Sequence, residues 1–410
     1  VNILYLHQYF ATPDSFGGTR SYEMAKRLID KGHNVTFITT SAFMSEKVKS
    51  SLSRGWNFLL INGINVHVLH LPYSNKNGYL LRVIKFLIFC VRSSFKSLSI
   101  DSDMVFATST PLTIAIPGVF YSKIKKVPMV FEVRDLWPEI PIAIGAIRNP
   151  IIIGIAKKLE AFAYKHAKRI VTLSPGMCQG VVESGVDSSK ISIASNSCDT
   201  ELFDVDSEVG ERYKHTLGFL KDRKLVVYTG TFGVINDVRY IVDLAISSLN
   251  SSSNICYVAV GDGKEKASVV DYAREAGVLD VNLYFFDSLP KTEIVKILSA
   301  ADLSLSLFGP VKEMWNNSAN KVFDSLASQT PIAINYSGWQ AEFIEEYGCG
   351  IVLYGKSADQ ASREIQNFLN DSIRCNRAKK ACKYLAYNVY SRDIMADKLE
   401  NVLKEALNDK

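Results

Sequence analysis

Short apolar runs, rich in β-branched and aromatic residues, alternate along the chain with stretches of helical periodicity. NILYL (2–6), NVTFITT (34–40), NVHVLHL (65–71), DMVFAT (103–108), PMVFEV (128–133), RIVTLS (169–174) and ISIA (191–194) read as strands in the first half. Between the first two, Tyr22, Ala25, Leu28 and Ile29 follow the i, i+3, i+6, i+7 spacing of one helix face. This alternation predicts βαβ units around a parallel sheet buried on both faces. The pattern restarts after residue 200 with KLVVYTG (224–230), ICYVAVG (255–261), NLYFF (282–286), DLSLSLF (302–308), PIAIN (331–335) and GIVLY (350–354). The predicted fold class is α/β: two Rossmann-like domains facing across a cleft, with the ligand at the carboxyl ends of the strands. The expected domains are 1–200 and 201–386. A charged amphipathic helix over about 387–410 is expected to cross back to the first domain, and the acidic, aperiodic CDTELFDVDSEVGER (198–212) to be a linker.

At 410 residues, both domains are large enough to bury a core without staples. Charge changes the picture more. Residues 1–200 carry 23 Lys+Arg against 13 Asp+Glu, whereas 201–410 carry 24 against 29. The first half is therefore expected to meet something anionic: nucleic acid, a membrane surface or a phosphorylated substrate. No basic motif interleaved with aromatic residues is present, so nucleic acid drops out. The seven cysteines form no CxxC pair, and Cys90 and Cys256 sit inside apolar runs, as buried thiols in a reducing cytosol do. The chain opens on strand-like VNILYL without a secretory leader pattern, and it has no apolar stretch of about 20 residues. A cytoplasmic protein without a spanning helix is expected.

No complete GxGxxG follows a strand and no GxxxxGK[ST] occurs, so dinucleotide and P-loop readings lack support. His67 and His70 lie three apart on a strand, on opposite faces, which argues against a shared metal. Asp101 and Asp103 have D-x-D spacing, but they precede a strand, where acids commonly solvate a turn. In HQYFATPDSFGGTRSYEMAKRL, Gly17 and Gly18 stand where a strand feeds a helix, with Thr19 and Arg20 in its first turn. Paired glycines let backbone approach a ligand, and the N–H groups of a helix start attract phosphate; a tight turn without ligand is the alternative. Residues 318–328 read as a helix with Val322, Phe323 and Leu326 inward and Asn320, Lys321 and Asp324 on one exposed side. Lys321 suits a diphosphate and Asp324 a ribose, although the same spacing also describes a plain i, i+3 ion pair. FEVRDLWPEIP places Glu132, Arg134, Asp135 and Glu139 at the mouth of an apolar strand, either facing a cleft or forming a structural network. In YLLRVIKFLIFCVRSSFKSLSI (79–100), Arg82, Lys85, Arg92 and Lys96 fall within about an 80° arc beside a broad apolar face. With no acid in the segment, this fits a helix lying on an anionic membrane; a core-packed helix with solvated cations is the alternative.

Taken together, GG…YEMAKRLIDKGHNVTFITT, EVRDLWPE, RIVTLSPGMCQGVVESGVDSSKISIASNSCDTELF, VAVGDGKEK and NKVFDSLASQTPI resemble, in order and spacing, the retaining glycosyltransferases of family 4, with the GT-B fold. The likeness is closest to the WbuB-like branch, which builds bacterial O-antigen. It implies transfer from a UDP-sugar, such as an N-acetyl-L-fucosamine donor, to a polyprenyl-diphosphate-linked saccharide, without metal or other cofactor. The enzyme would sit at the inner face of the bacterial cytoplasmic membrane. By likeness, Asp324 stands where a Glu holds the ribose, Lys321, Asn320, Gly17 and Gly18 near the diphosphate, and Phe286-Asp287 against the uracil. Arg134 and Asp135 stand at the catalytic edge, and Tyr9, Arg20 and Glu139 on the acceptor side. Three departures are visible. Asn316 and Asp324 replace the usual E-x7-E pair, GTFGVINDVRY lacks the usual Arg and Lys unless Arg239 substitutes, and SNS (195–197) replaces PNG. The other readings are a sugar-nucleotide 2-epimerase of the same fold and a non-catalytic, membrane-docked binder of sugar nucleotides.

Overall fold

A computed structural model describes every residue except Phe16, 72–78 and Lys410; of Tyr79, Leu80, Arg82 and Ser207 only the backbone is described. The chain forms two compact units. Val1–Ser195 and the last segment from Arg392 make the first, and Asn196–Ser391 make the second.

The first unit runs β1 (Asn2–Leu6), α1 (Arg20–Asp30), β2 (Asn34–Thr40), α2 (Glu46–Ser51), β3 (Trp56–Ile61), β4 (Ile64–Leu69) and α3 (Tyr79–Ser97). It continues through β5 (Met104–Thr108), α4 (Ala115–Lys125), β6 (Met129–Val133), α5 (Glu139–Ala143), α6 (Pro150–His166), β7 (Arg169–Thr172), α7 (Pro175–Glu183) and β8 (Ile191–Ile193). The sheet order is β3-β4-β2-β1-β5-β6-β7-β8. Its central strands are buried at every position because helices cover both faces: Met104–Thr108 and Met129–Val133 are apolar apart from Thr108 and Glu132. All neighbours are parallel except β3, which pairs antiparallel with β4 from Trp56↔Leu69 to Ile61↔Ile64. The periodicity reading omitted this edge strand. The Asn62-Gly63 turn, with φ of 47° and 83°, is the local signal that marks it.

The second unit runs α8 (Thr200–Phe203), α9 (Ser207–Thr216), β9 (Lys224–Thr229), α10 (Arg239–Asn250), β10 (Ile255–Val260), α11 (Lys266–Glu275) and β11 (Leu283–Phe286). After these come α12 (Lys291–Ala300), β12 (Leu303–Ser306), α13 (Asn320–Ala327), β13 (Ile332–Ile334), α14 (Trp339–Tyr347), β14 (Gly350–Val352), α15 (Ala358–Asn370) and α16 (Ser372–Asn388). Its six strands, in the order β11-β10-β9-β12-β13-β14, are all parallel. The segment expected as a linker is helical instead. Its acids serve as N-caps: Asp199 accepts from the Leu202 N–H (3.1 Å) and Asp206 from the Glu208 N–H (2.9 Å).

The final helix, α17 (Arg392–Asn408), belongs to the first unit, so the chain end does return there. It starts later than about 387, because α16 continues to Asn388. Asp393 pairs with Arg27 (2.6 Å), Glu400 with His33 (2.9 Å) and Asp409 with Arg169 (2.7 Å).

Candidate functional site

In the second unit, the carboxyl ends of β9 and β10 open into glycine-bearing loops that are tied together. Gly230 N–H donates to Val260 O (2.9 Å) and Phe232 N–H to Asp262 O (3.0 Å). A Cβ on Gly261 (φ +147°) would lie 1.9 Å from Gly230 O, and one on Gly230 (φ +153°) 2.4 Å from Lys321 Cε. Glycine is therefore required for these loops to lie on one another and on Lys321. The Lys321 ammonium donates to Asn236 Oδ1 (2.9 Å) and lies 5.3 Å from the Tyr228 ring and 5.7 Å from that of Phe308. Among the described residues no carboxylate pairs with it, and burial pulls its pKa down to about 8. Lys321 stands in the first turn of α13, whose N-cap, Ala319, offers no side-chain cap. A cation and uncapped helix N–H donors thus converge where an anion would satisfy both.

The exposed side expected on α13 is only partly so. Asn320 is exposed, whereas Lys321 and Asp324 are half-buried. The i, i+3 ion pair does not form either, because Asp324 is bound by Lys291 on α12 (2.5 Å). Phe286 ends β11, Asp287 follows it, and both are strapped by Lys266, which donates to Gly261 O (2.8 Å), Phe286 O (3.1 Å) and Asp287 Oδ1 (2.7 Å). Arg239 does not supply the missing cation: its guanidinium stacks 3.9 Å from the Tyr272 ring. Asn196, from the unfamiliar SNS, fastens the approach to α13 through Ser318, its amide donating to Ser318 O (2.6 Å). Gly230, Asn236, Gly261 and Lys291 were not singled out from sequence. Their roles come from long-range contacts that no local pattern announces.

In the first unit, the carboxyl edge holds a buried polar network. Glu132 is fully buried on β6, and Arg20 grips it with Nε (3.1 Å) and Nη2 (2.8 Å) while donating to Ser195 O (2.6 Å) and Ala194 O (2.8 Å). Burial alone would raise the Glu132 carboxyl, but Arg20 and Arg134 hold it below its ordinary range. Arg20 was expected on the acceptor side. With four bonds made inside the fold and its side chain buried, it is a strut and cannot reach an acceptor. Arg134 follows β6, takes Ser109 Oγ on its backbone N–H (3.0 Å) and places Nη1 3.3 Å from His7 Nε2. Burial first, and Arg134 second, push the His7 pKa far down, so the neutral ring accepts from Arg134 and its Nδ1–H donates to Ser21 Oγ (2.8 Å). Asp135 accepts from Thr110 Oγ1 (3.3 Å).

Tyr9 is packed edge-on against Phe43 (5.0 Å) and Phe86 (6.4 Å). Gly17 and Gly18 are exposed before α1, whose N-cap Thr19 makes no side-chain cap; Phe16 beside them lies outside the described residues. Glu139 opens α5, its Oε2 without a hydrogen-bond partner among the described residues; burial first, and the Glu139 charge second, raise the Glu160 carboxyl on α6 to about 7. Along α3, Arg92 is exposed and Lys85 and Lys96 half-buried; the Arg82 side chain lies outside the described residues. Asp101 is tied to Lys125 and Asp103 to the Asn2 N–H. Among the described residues, no three His, Cys, Asp or Glu side chains gather as a metal site.

Two family models match the chain: Glycosyltransferase Family 4 over residues 17–202 and Glycosyl transferases group 1 over 211–384. The chain belongs to the family 4 glycosyltransferases. This glycosyltransferase shares its fold with solved structures. HepE from Anabaena, in complex with UDP and glucose, is 15% identical, with TM-score 0.71 over 98% of this chain and 99% of that one. WaaG, a glycosyltransferase involved in lipopolysaccharide biosynthesis, is 15% identical, with TM-score 0.69 and the same coverage. Sucrose-phosphate synthase from Thermosynechococcus elongatus is 12% identical, with TM-score 0.74 over the whole of both chains. At these identities the likeness establishes the GT-B fold. No curated protein matches in sequence.

Proposed function

We propose that this glycosyltransferase transfers a sugar, with retention at the anomeric carbon, from a UDP-sugar to a polyprenyl-diphosphate-linked saccharide in O-antigen or capsule synthesis. The WbuB-like motifs favour an N-acetyl amino sugar such as N-acetyl-L-fucosamine, carried to a lipid-linked acceptor of undecaprenyl-diphosphate type. The observation that carries the reading is Lys321, a half-buried cation that pairs with no carboxylate among the described residues, beside the uncapped start of α13. UDP and UDP-sugars bound to fold neighbours are in keeping with a diphosphate there.

In this proposal Lys321 and the α13 N–H groups take up charge as the bond from the anomeric carbon to the diphosphate oxygen breaks. The acceptor oxygen attacks the same face, and its proton passes to the departing phosphate oxygen. The charge is assigned to these groups, so no metal or other cofactor is invoked. Asp324, on leaving or sharing Lys291, would hold the ribose, with Asn320 near the diphosphate and Phe286-Asp287 against the base. Arg134 and Asp135 would border the reacting sugar, with Tyr9 and Glu139 toward the acceptor and Gly17-Gly18 toward the diphosphate. The basic stripe of α3 would hold the enzyme at the inner leaflet, a cytoplasmic, peripheral location.

The test is a panel of UDP-sugars offered with polyprenyl-diphosphate-GlcNAc to the wild type, Lys321→Ala and Asp324→Ala. Transfer by the wild type and loss in both variants is expected; wild-type turnover by both would overturn the donor site. A new sugar nucleotide formed without acceptor would mean an epimerase. Binding without any turnover would mean a non-catalytic protein.

A further inference from the structure

The outward face of α3 is apolar. Leu81, Ile84, Leu87, Ile88, Val91 and Phe95 are each 42% to 68% exposed. At 100° per residue they occupy about a 120° arc, opposite the buried Phe89, Cys90, Ser93 and Ser97. A surface helix of a soluble domain ordinarily turns its apolar stripe inward. Here the small and polar Ser93 and Ser97 are inside while the large aliphatic side chains are outside.

The same inversion recurs on α6. Ile151, Ile152 and Ile155, in its first two turns, are exposed, Ile151 by 73% and Ile155 by 62%. Glu160 and Tyr164 face inward, and Lys157 and Lys158 flank the isoleucines on the outside. Glu160 is the only acid between Glu139 and Glu183, so the outward surface of α6 carries cations alone, as does that of α3. Between the two helices lies α4, packed against both and exposing Ile124. Each of α3 and α6 ends just before a strand begins, so their first turns lie toward the carboxyl edge of the sheet, the edge that carries Arg134 and Asp135.

We infer that the first two turns of α6 are a second membrane-inserting element, so that the first unit docks on an anionic bilayer through α3 and α6 together, with its carboxyl edge at headgroup level. The inference rests on the membrane reading of α3 proposed above and adds a partner contact that the basic stripe does not contain. The occupant is a bilayer because apolar side chains ringed by cations, without acids, match acyl chains beneath anionic headgroups. Two contacts, unlike one, also fix which edge faces the leaflet.

The test is co-sedimentation of the full chain with vesicles of pure phosphatidylglycerol or pure phosphatidylcholine, at low and high salt. Ile151→Asn with Ile155→Asn is compared with Lys85→Glu, Arg92→Glu and Lys96→Glu. Both isoleucines are exposed, and an unchanged unfolding midpoint checks the fold. The α6 pair is expected to lower partitioning onto phosphatidylglycerol about 10- to 100-fold, from the loss of two inserted side chains. The α3 charge variants should abolish its salt sensitivity. Release by the α3 variants with unchanged binding of the α6 pair overturns the α6 element alone. No binding of the wild type overturns both. A wild-type dimer that Ile151→Asn with Ile155→Asn converts to monomer, with vesicle binding intact, assigns the face to a second copy and also overturns the inference.

Discussion

Replacing Lys321 with Met keeps most of the side-chain volume under Gly230 and removes the charge. Burial lowers the ammonium from its ordinary 10.5 to about 8. At about 1.4 kcal/mol for each tenfold change in proton affinity, holding the charged form in the fold costs at most about 3.5 kcal/mol. Below pH 8 both folded and unfolded chains carry the proton, so the full penalty applies at neutral pH. Between pH 8 and 10.5 the folded chain releases the proton while the unfolded chain keeps it, so wild-type stability rises with pH across this window. Lys321→Met should therefore be more stable than the wild type at pH 7, with the gap closing by pH 10.5, as read from urea midpoints across the pH range. A bound diphosphate should pull the proton back. At pH 8, where Lys321 is about half neutral, UDP binding by the wild type should take up about half a proton, measured by calorimetry in buffers of differing ionisation enthalpy. The variant should take up none and bind UDP much more weakly. A stability gap that does not vary with pH, together with UDP binding without proton uptake, would refute the assignment of Lys321 as a buried cation awaiting an anion.

Glu160 titrates in the opposite sense. Its carboxyl is raised to about 7 by burial and by Glu139, so the folded chain holds a proton that the unfolded chain releases from about pH 4.5 upward, and stability is lost as pH rises toward and past 7. Glu160→Gln should raise the melting temperature at pH 8 and leave it unchanged at pH 4; an equal effect at both would contradict the raised value. Arg20→Met leaves the buried Glu132 without its main cation and is expected to destabilise the fold by about 3–5 kcal/mol in urea denaturation. Arg20→Met with Glu132→Leu should recover most of that loss. A silent Arg20→Met would show that the pair is not structural.

Much of the fold was legible because its signals are local and repeated. Strands buried on both faces, such as Met104–Thr108 and Ile255–Val260, are continuous apolar runs that few other elements mimic. The misread segments were those where a different local rule applied. In residues 198–212, Asp199 and Asp206 cap helices, and Trp56–Ile61, an apolar run in WNFLLI, is bounded by the Asn62-Gly63 turn that makes it a hairpin strand. At the start of α13 Lys321 was legible as a cation near a helix start, whereas Asn236 and Gly230 take meaning only from the loop that brings them to it.

The sequence by itself determined the α/β class, the twofold recurrence of the Rossmann pattern and the family motifs, because periodicity and short motifs depend on near neighbours. Only the tertiary structure decided which charges are struts and which are available. Arg20 and Lys321 are both cations in the first turn of a helix that follows a sheet strand. Arg20 meets Glu132 across the sheet, 112 residues away, and is consumed. Lys321 meets an amide and two aromatic rings, and no carboxylate among the described residues. The same holds for α3, whose cations and broad apolar face were both visible in the sequence, whereas the outward orientation of Leu81, Ile84, Leu87, Ile88, Val91 and Phe95 was not. Periodicity shows that a helix has two faces, and only packing shows which one the fold covers.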